Sequence, residues 1–279
     1  MAQITAADVS KLRTMTGVSM MECKKALVAS GGDFDAAVKT LRELGVAVAA
    51  KRAEKAANQG LISSKISGDA SKAVIVEVNC ETDFVARNAD FVKFVDKVAE
   101  TALEGGNPAE VMKEEVSAQV SAIGEKIEIR RSQRFELQGS GLLASYIHMG
   151  GKVGVLLELG CEKQETVSKA DFAEVAKDIT LQIAASAPRW LDSSEVPADV
   201  VASEREIYAN QMKDQNKPAN IIEKIIDGKI SKFYGENCLV DQVFVKDSEL
   251  TICKLLDKVG KQVGDKLFIR RFVRYQLGA

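Results

Sequence analysis

The feature that most constrains the fold of this chain is a repeat of its own sequence at a spacing of 81 residues. Blocks that begin at Gly60 and Gly141 align at this spacing without a gap. The matched positions are Gly60 and Gly141, Leu61 and Leu142, Ser64 and Ser145, Ile66 and Ile147, Glu77 and Glu158, Cys80 and Cys161, Glu81 and Glu162, and Ala89-Asp90-Phe91 and Ala170-Asp171-Phe172. We infer an internal duplication in which both copies fold alike.

Each copy is predicted to be a β-hairpin followed by a helix and a further strand. Runs rich in β-branched residues or leucine and bounded by polar residues predict the strands. The first copy has strands at 61–66 and 72–78, a helix at 89–103 and a last strand at 127–137; the second has strands at 142–147 and 154–159, a helix at 170–185 and a last strand at 266–277. Hairpins give antiparallel sheets, so the predicted fold class is α+β with a duplicated α/β core.

Three short helices are predicted before the first copy, over 6–16, 19–30 and 33–44. Gly17 ends the first helix, and Ser19 begins the second as an N-cap that forms a capping box with Glu22. The apolar residues expected to share a small core are Leu12, Met15, Met20, Met21, Ala26, Leu27, Ala36, Ala37, Val38 and Leu41. The Ala-rich stretch 45–60 is interpreted as a partly helical linker.

An insertion is predicted between the helix and the last strand of the second copy. Two helical runs flank Asn216-Lys217-Pro218 and predict an antiparallel helical hairpin. Its second run carries an apolar stripe of Ile221, Ile222, Ile225, Ile226, Ile230 and Phe233. The stripe packs either against Ile207 and Met212 of the same chain or against a second copy, as a homodimer.

These elements divide the chain into four predicted parts. They are a three-helix module with its linker at 1–55, a first core subdomain at 56–140, a second core subdomain at 141–192 plus 236–279, and the helical hairpin at 193–235.

Composition excludes several classes of function. Lys plus Arg number 38 against 40 Asp plus Glu, so the net charge of −2 does not draw the whole chain onto nucleic acid. Five widely spaced cysteines without a CxxC pair predict neither a disulfide framework nor a zinc site. They favour a reducing compartment. No signal-peptide core and no run of about 18 apolar residues is found, so we expect a cytoplasmic protein with no membrane contact.

The inventory of reactive groups is also small. His148 is the single histidine, which leaves no His-rich metal site, and neither GxxxxGK[ST] nor GxGxxG occurs. We therefore expect no cofactor and no enzymatic activity; a nucleotide, if one is involved, is held by a partner protein. The best set for an enzyme hypothesis is Glu77, Glu81, Asp83 and His148.

The duplication breaks directly after Glu81. The first copy continues as Thr82-Asp83-Phe84-Val85, and the matching positions of the second are Lys163, Gln164, Glu165 and Thr166. Because glutamate is comfortable only in solvent, Phe84 is predicted to stand on the surface at a strand-to-helix turn, where it would anchor a partner. The alternative is that Phe84 packs onto its own turn as a hydrophobic staple.

Other charged positions have simpler interpretations. His148 falls at a hairpin closed by Met149-Gly150-Gly151, where a histidine is usually a solvated loop residue. Glu77 and Glu158 occupy the same place in both copies and are interpreted as scaffold. A nucleic-acid hypothesis would use Lys51, Arg52, Lys55, Arg130-Arg131 and Arg270-Arg271.

Two segments resemble the signature motifs of the elongation factor Ts family, the guanine-nucleotide exchange factors of the translation GTPase elongation factor Tu. They are LRTMTGVSMMECKKAL at 12–27 and EVNCETDFVARN at 77–88. The resemblance extends over nearly the whole chain and implies a UBA-like N-terminal module. Members of this family commonly continue into a C-terminal helix that reaches the partner, whereas this sequence ends at Ala279; either this form lacks that arm or the chain is shortened.

The resemblance also implies a partner and the residues that meet it. In this family the turn matching Thr82, Asp83, Phe84 and Val85 enters the nucleotide domain of elongation factor Tu and disturbs its Mg²⁺ site. Residues matching Met20, Met21 and Lys24 grip the same domain, and a histidine matching His148 presses near the nucleotide phosphates. Direct nucleic-acid binding is not implied.

Overall fold

The computed structural model describes residues 4–212 and 218–279 and has an α+β fold, as predicted. Its N-terminal helices are α1 (Ala6–Thr16), α2 (Met20–Ala29) and α3 (Phe34–Arg52). Gly17, with φ of 70°, ends α1 in the left-handed conformation. Ser19 caps α2 by accepting the Glu22 amide hydrogen at 3.4 Å, but the Glu22 carboxylate pairs with Lys25, so only half of the expected capping box is present.

Two expectations for the N-terminal region are wrong. Helix α3 does not end at residue 44 but continues to Arg52, because its second half finds an apolar surface on the first repeat, where Val48 and Ala49 pack. The small core also has fewer members than expected. Its centre is formed by Leu12, Cys23, Leu27, Ala37 and Leu41, whereas residues that the pattern had placed there are exposed: Met15, Met20, Met21 and Ala36.

The two repeats contain the predicted strands and helices within one or two residues at most ends. The first consists of β1 (Gln59–Ile66), β2 (Lys72–Cys80), α4 (Asp83–Ala86), α5 (Ala89–Glu104), α6 (Pro108–Val111), α7 (Lys113–Ile123) and β3 (Ile127–Glu136). The second consists of β4 (Gly141–His148), β5 (Val153–Cys161), α8 (Ala170–Ser186), the insertion and, after it, β6 (Val243–Phe244), β7 (Asp247–Thr251), α11 (Ile252–Val263) and β8 (Leu267–Gln276).

Each repeat forms a three-stranded antiparallel sheet, in the order β1-β2-β3 and β4-β5-β8. The sheets pack face to face through a core that includes Ile75, Phe135, Leu156 and Tyr275. Helices α5 and α7 cover the outer face of the first sheet, and α8 and α11 cover that of the second. The central strands β2 and β5 are therefore buried on both faces.

A reciprocal set of polar contacts joins the two sheets at their buried glutamates. In the first sheet Glu77 Oε2 accepts from Arg131 Nε at 2.7 Å, and Glu77 Oε1 accepts the amide hydrogen of Gly278, beyond the last strand of the other repeat, at 3.0 Å. In the second sheet Glu158 accepts from Arg271 Nε at 2.7 Å and from the amide of Gln138 at 2.7 Å. Both glutamates are fully buried, which supports their interpretation as scaffold.

The insertion is an antiparallel hairpin of α9 (Ala198–Met212) and α10 (Ala219–Asn237). Ile226, Ile230 and Phe233 are buried within the chain, whereas Ile207 and Ile221 are 45% and 40% exposed. Residues Asn216 and Lys217, predicted to split the two helices, lie outside the described residues. Over residues 4–212 and 218–279, no helix is both long and apolar enough to span a bilayer.

Candidate functional site

The candidate site is centred on the short helix α4, which begins at the point where the duplication breaks. Phe84 lies on α4 and is 82% exposed, more than any other large hydrophobic side chain within residues 4–212 and 218–279. The prediction that Phe84 stands on the surface is confirmed. An exposure of this size excludes the alternative that its ring packs onto the adjoining turn as a staple.

The backbone of this turn is held by a carboxylate from the loop between α7 and β3. Glu125 Oε2 accepts the Thr82 amide hydrogen at 3.0 Å, and Glu125 Oε1 accepts the Thr82 hydroxyl at 2.7 Å. The same hydroxyl caps α4 by accepting the Val85 amide hydrogen at 3.3 Å. Val85 and the buried Ala86 then pack into the first-repeat core, so the turn is fixed on its inner side while Phe84 stays outside.

The second repeat fixes its own turn in the same way. Asp265 Oδ2 accepts the Lys163 amide hydrogen at 3.0 Å and the Thr166 hydroxyl at 2.6 Å, and a 3₁₀ helix (Gln164–Ser168) replaces α4. Its exposed apex residue is Glu165. Both turns are therefore fixed without help from the apex side chain, which is free to differ between the copies.

The polar groups around Phe84 are accessible. Asp83 Oδ2 lies 3.1 Å from Arg87 Nη2, with side chains 46% and 81% exposed. A pair exposed to this degree contributes little to folding stability, so the Asp83 carboxylate can exchange partners at low cost.

The two residues before the turn are more enclosed. Glu81 accepts the Lys126 amide hydrogen, and this hydrogen bond, assisted by Arg52, holds the pKa of Glu81 below its usual range. Burial raises the pKa of the neighbouring Cys80 thiol to about 11, which keeps it protonated and unreactive at neutral pH.

A groove of about 760 Å³ separates α4 from the hairpin turn of the second repeat. Phe84 and Asp83 line one wall, and Met149, Gly150 and Lys152 line the other. The turn is tight: Met149 has a left-handed φ of 50° and its side chain is 70% exposed. Two exposed apolar side chains, Phe84 and Met149, thus flank the groove, an arrangement typical of surfaces that bind another protein.

His148 directly precedes the groove-lining turn, as the last residue of β4. It is exposed, pairs with Val153 in the sheet register, and its Nδ1 lies 2.9 Å from the Tyr146 hydroxyl, with the two rings stacked at 5.7 Å. Stacking gives the imidazole a fixed orientation beside the groove. It is a strand residue, rather than the free loop residue that the sequence favoured.

Met20, Met21 and Lys24 lie apart from this groove, on the outer face of α2. All three are exposed, with Met21 at 65% and Met20 at 39%. Met15 and Val28 are exposed as well, so this small helical module carries several exposed apolar side chains, three of them methionines. We call the face of α2 that carries Met20, Met21 and Lys24 the N-terminal surface. The structure therefore offers two separate candidate contact surfaces.

Most of the basic residues considered for nucleic-acid binding are already paired. Arg52 contacts Glu81, Arg130 and Arg131 contact Glu77, and Arg270 and Arg271 contact Glu158. These five guanidinium groups face carboxylates of their own chain, so they form no free basic stripe.

Among the residues that the structure describes, no group of three or more His, Cys, Asp or Glu side chains has the arrangement of a metal site.

Residues to which the sequence analysis assigns no role also contribute to the site, namely Glu125, Arg87 and Met149. A signal for Glu125 exists: Gly124, Glu125 and Lys126 recur as Gly264, Asp265 and Lys266, 140 residues later. The helical insertion lies between the second hairpin and this match. The match is therefore found at a spacing of 140 residues, whereas the hairpins repeat at a spacing of 81.

Comparisons with known proteins agree on one family. A family model described as "Elongation factor TS" matches residues 81–279. Elongation factor Ts of a Nitratiruptor species is 43% identical over 286 residues, covering 99% of this chain and 93% of that protein. The homologues of Clostridium kluyveri and Nitratidesulfovibrio vulgaris are 45% and 41% identical, covering 99% of this chain and 93% and 96% of theirs.

Proposed function

The chain belongs to the elongation factor Ts family, and from this membership we propose that it is a guanine-nucleotide exchange factor for elongation factor Tu. It binds Tu carrying GDP, disturbs the Mg²⁺ and phosphate site of Tu and promotes GDP release, so that GTP can bind. It acts in the cytoplasm by binding alone, and no covalent step or cofactor of its own is needed.

The observation that carries this proposal is the exposed Phe84 on a turn whose backbone is fixed. An apolar ring that is 82% exposed in the free chain gains burial only when a partner covers it. Because Glu125 and Val85 hold the turn from inside, the ring can be pressed into a partner without the entropic cost of ordering a loop.

The physical effect on the partner follows from how GDP is held. Bound Mg²⁺ and backbone amide groups supply most of the favourable field around nucleotide phosphates. Insertion of Phe84 with the Asp83 carboxylate beside it would shift these groups and raise the rate of GDP dissociation. His148, Met149 and Lys152 would contact the partner across the groove, and Met20, Met21 and Lys24 would grip a second part of the same domain.

Linkage makes the coupling reciprocal. If the factor weakens GDP binding by a given ratio, GDP must weaken factor binding by the same ratio.

The test is stopped-flow release of a fluorescent GDP from Tu at increasing concentrations of the chain. We expect the release rate to rise to a plateau, and added GDP to dissociate the complex. If the rate of GDP release stayed at the value for Tu alone at every concentration of the chain, the proposal would be ruled out.

A further inference from the structure

Helix α3 packs against both the N-terminal module and the first repeat before the chain passes through residues 53–58 into β1. Its first half places Ala37 and Leu41 in the module core, and its second half packs Val48 and Ala49 against the first-repeat core. Midway, Gly45 approaches α7 so closely that a β-carbon would lie 3.1 Å from the Ser117 carbonyl oxygen. A continuous helix packed at both ends carries orientation from one unit to the other.

The C-terminal end of α3 contacts the residue that precedes the Phe84 turn. Arg52 Nη1 lies 2.7 Å from Glu81 Oε1, and the same oxygen accepts the Lys126 amide hydrogen at 2.6 Å. The next residue, Thr82, is held by Glu125. Two successive residues, Glu81 and Thr82, are thus held by side-chain contacts, and Glu81 is held in part by Arg52 of α3.

The second repeat serves as an internal control for this arrangement. Glu162 matches Glu81 and Asp265 matches Glu125, and Asp265 holds its turn as Glu125 does. Glu162 is exposed, however, and in the described part of the second repeat nothing corresponds to Arg52. The arginine contact is therefore a feature of the copy that carries Phe84, beyond what this turn needs in order to fold.

We propose that Arg52 and Glu81 are positioning residues that couple the N-terminal surface to the Phe84 turn, so that binding through Met20, Met21 and Lys24 holds Phe84 where it releases nucleotide. This inference rests on the proposed function and extends it. The two contact surfaces act as one unit, because the ion pair joins the end of α3 to the start of the turn.

The exposure of the pair sets the size of the expected effect. The side chains are 35% and 21% exposed, so the pair contributes little to global stability and its loss should leave the chain folded. The module would still bind, but the turn would be held less well. We therefore expect the plateau rate of release to fall while the half-saturating concentration stays nearly constant.

The experiment measures the release of fluorescent GDP from Tu with full-length Arg52→Gln, Arg52→Lys and Lys51→Gln variants at pH 7, each with a melting curve. Arg52→Gln should lower the plateau rate about fivefold, the scale of a partly exposed ion pair. Arg52→Lys should retain most of the rate, because the contact to Glu81 uses a single nitrogen. Lys51→Gln removes the same charge from the same exposed helix end and should match the unmodified chain.

Three results would overturn the coupling and leave the exchange function intact. One is an unchanged plateau for Arg52→Gln. Another is an equal loss for Lys51→Gln, which would indicate a general charge effect. The third is a lower melting temperature with normal release per folded molecule, which would indicate a structural role only. Failure of the unmodified chain to accelerate release would instead overturn the proposed function, and this inference with it.

Discussion

Replacement of Phe84 by alanine separates binding from folding more sharply than any other change in the site. A phenylalanine side chain presents about 200 Å², and 82% of that of Phe84 faces solvent. Burial of roughly 160 Å² at about 25 cal/mol per Å² gives an upper limit near 4 kcal/mol. Ordering and desolvation reduce this gain, so a loss of about 2 kcal/mol, typical of an interface hot spot, is expected.

The expected readout is kinetic. A loss of about 2 kcal/mol from the state in which GDP leaves corresponds to roughly 30-fold slower release. The stability of the free chain should change much less, since only about 40 Å² of the ring is buried there, worth at most about 1 kcal/mol. Stopped-flow release of fluorescent GDP at saturating Phe84→Ala, with a urea unfolding curve of the same protein, measures both quantities.

The duplication provides the matched control. Glu165 occupies the same apex in the second repeat, so Glu165→Ala should leave release unchanged. Asp83→Ala tests charge rather than volume, because a carboxylate near the Mg²⁺ of the partner would act through its field. If a folded protein carrying both Phe84→Ala and Asp83→Ala released GDP at a near-normal rate, the assignment of the exchange step to this turn would be refuted, and His148 with the N-terminal surface would be tested next.

Three further predictions concern the scaffold and the assembly. Glu77→Gln and Glu158→Gln should each destabilise the chain by about 2 kcal/mol in urea unfolding, because an amide cannot accept all the hydrogen bonds that each buried carboxylate accepts from a partly exposed arginine and from a backbone amide of the other repeat; a loss in only one variant would contradict the equivalence of the two copies. Deletion of residues 1–55 should weaken Tu binding in a titration and also lower the melting temperature, since Val48 and Ala49 pack on the first repeat. If the hairpin forms a homodimer, Ile207→Asp with Ile221→Asp should convert it to a monomer in light scattering with the fold intact, and a chain that is already monomeric would count against dimerisation.

The regular parts of the fold were predictable because they depend on local pattern. The strands of both repeats and the helices beginning at Ala89 and Ala170 lie where periodicity and β-branched composition placed them. The exposure of Phe84 was predictable for a different reason: a glutamate stands at the matching position of the second copy. A duplicated chain contains its own comparison, and that comparison identified a surface residue that hydrophobicity alone would have placed in the core.

The errors arose where long-range packing decides the outcome. The Ala-rich composition of residues 45–60 indicates a partly helical linker, but it does not reveal that contact with α7 continues α3 through this segment to Arg52. The apolar character of Met20 and Met21 predicts that they lie in the core, yet Cys23, Ala26 and Leu27 fill the inner face of α2. The spacing of 81 residues that relates the hairpins does not pair Glu125 with Asp265, because these two residues are 140 positions apart. Comparison of the repeats at that spacing therefore does not identify the role of Glu125.

The same duplication would let one copy take on the proposed binding role without loss of the fold. Each turn is fixed by a carboxylate from the loop before the last strand, Glu125 in one repeat and Asp265 in the other. Since neither turn depends on its apex side chain, the apex can change at little cost to stability, and Phe84 and Glu165 have diverged there. Within the described residues, the Arg52 contact has no counterpart in the second repeat. The first repeat, which packs against the helix of the N-terminal module, is therefore the copy in which the exposed apex and the N-terminal surface would act together.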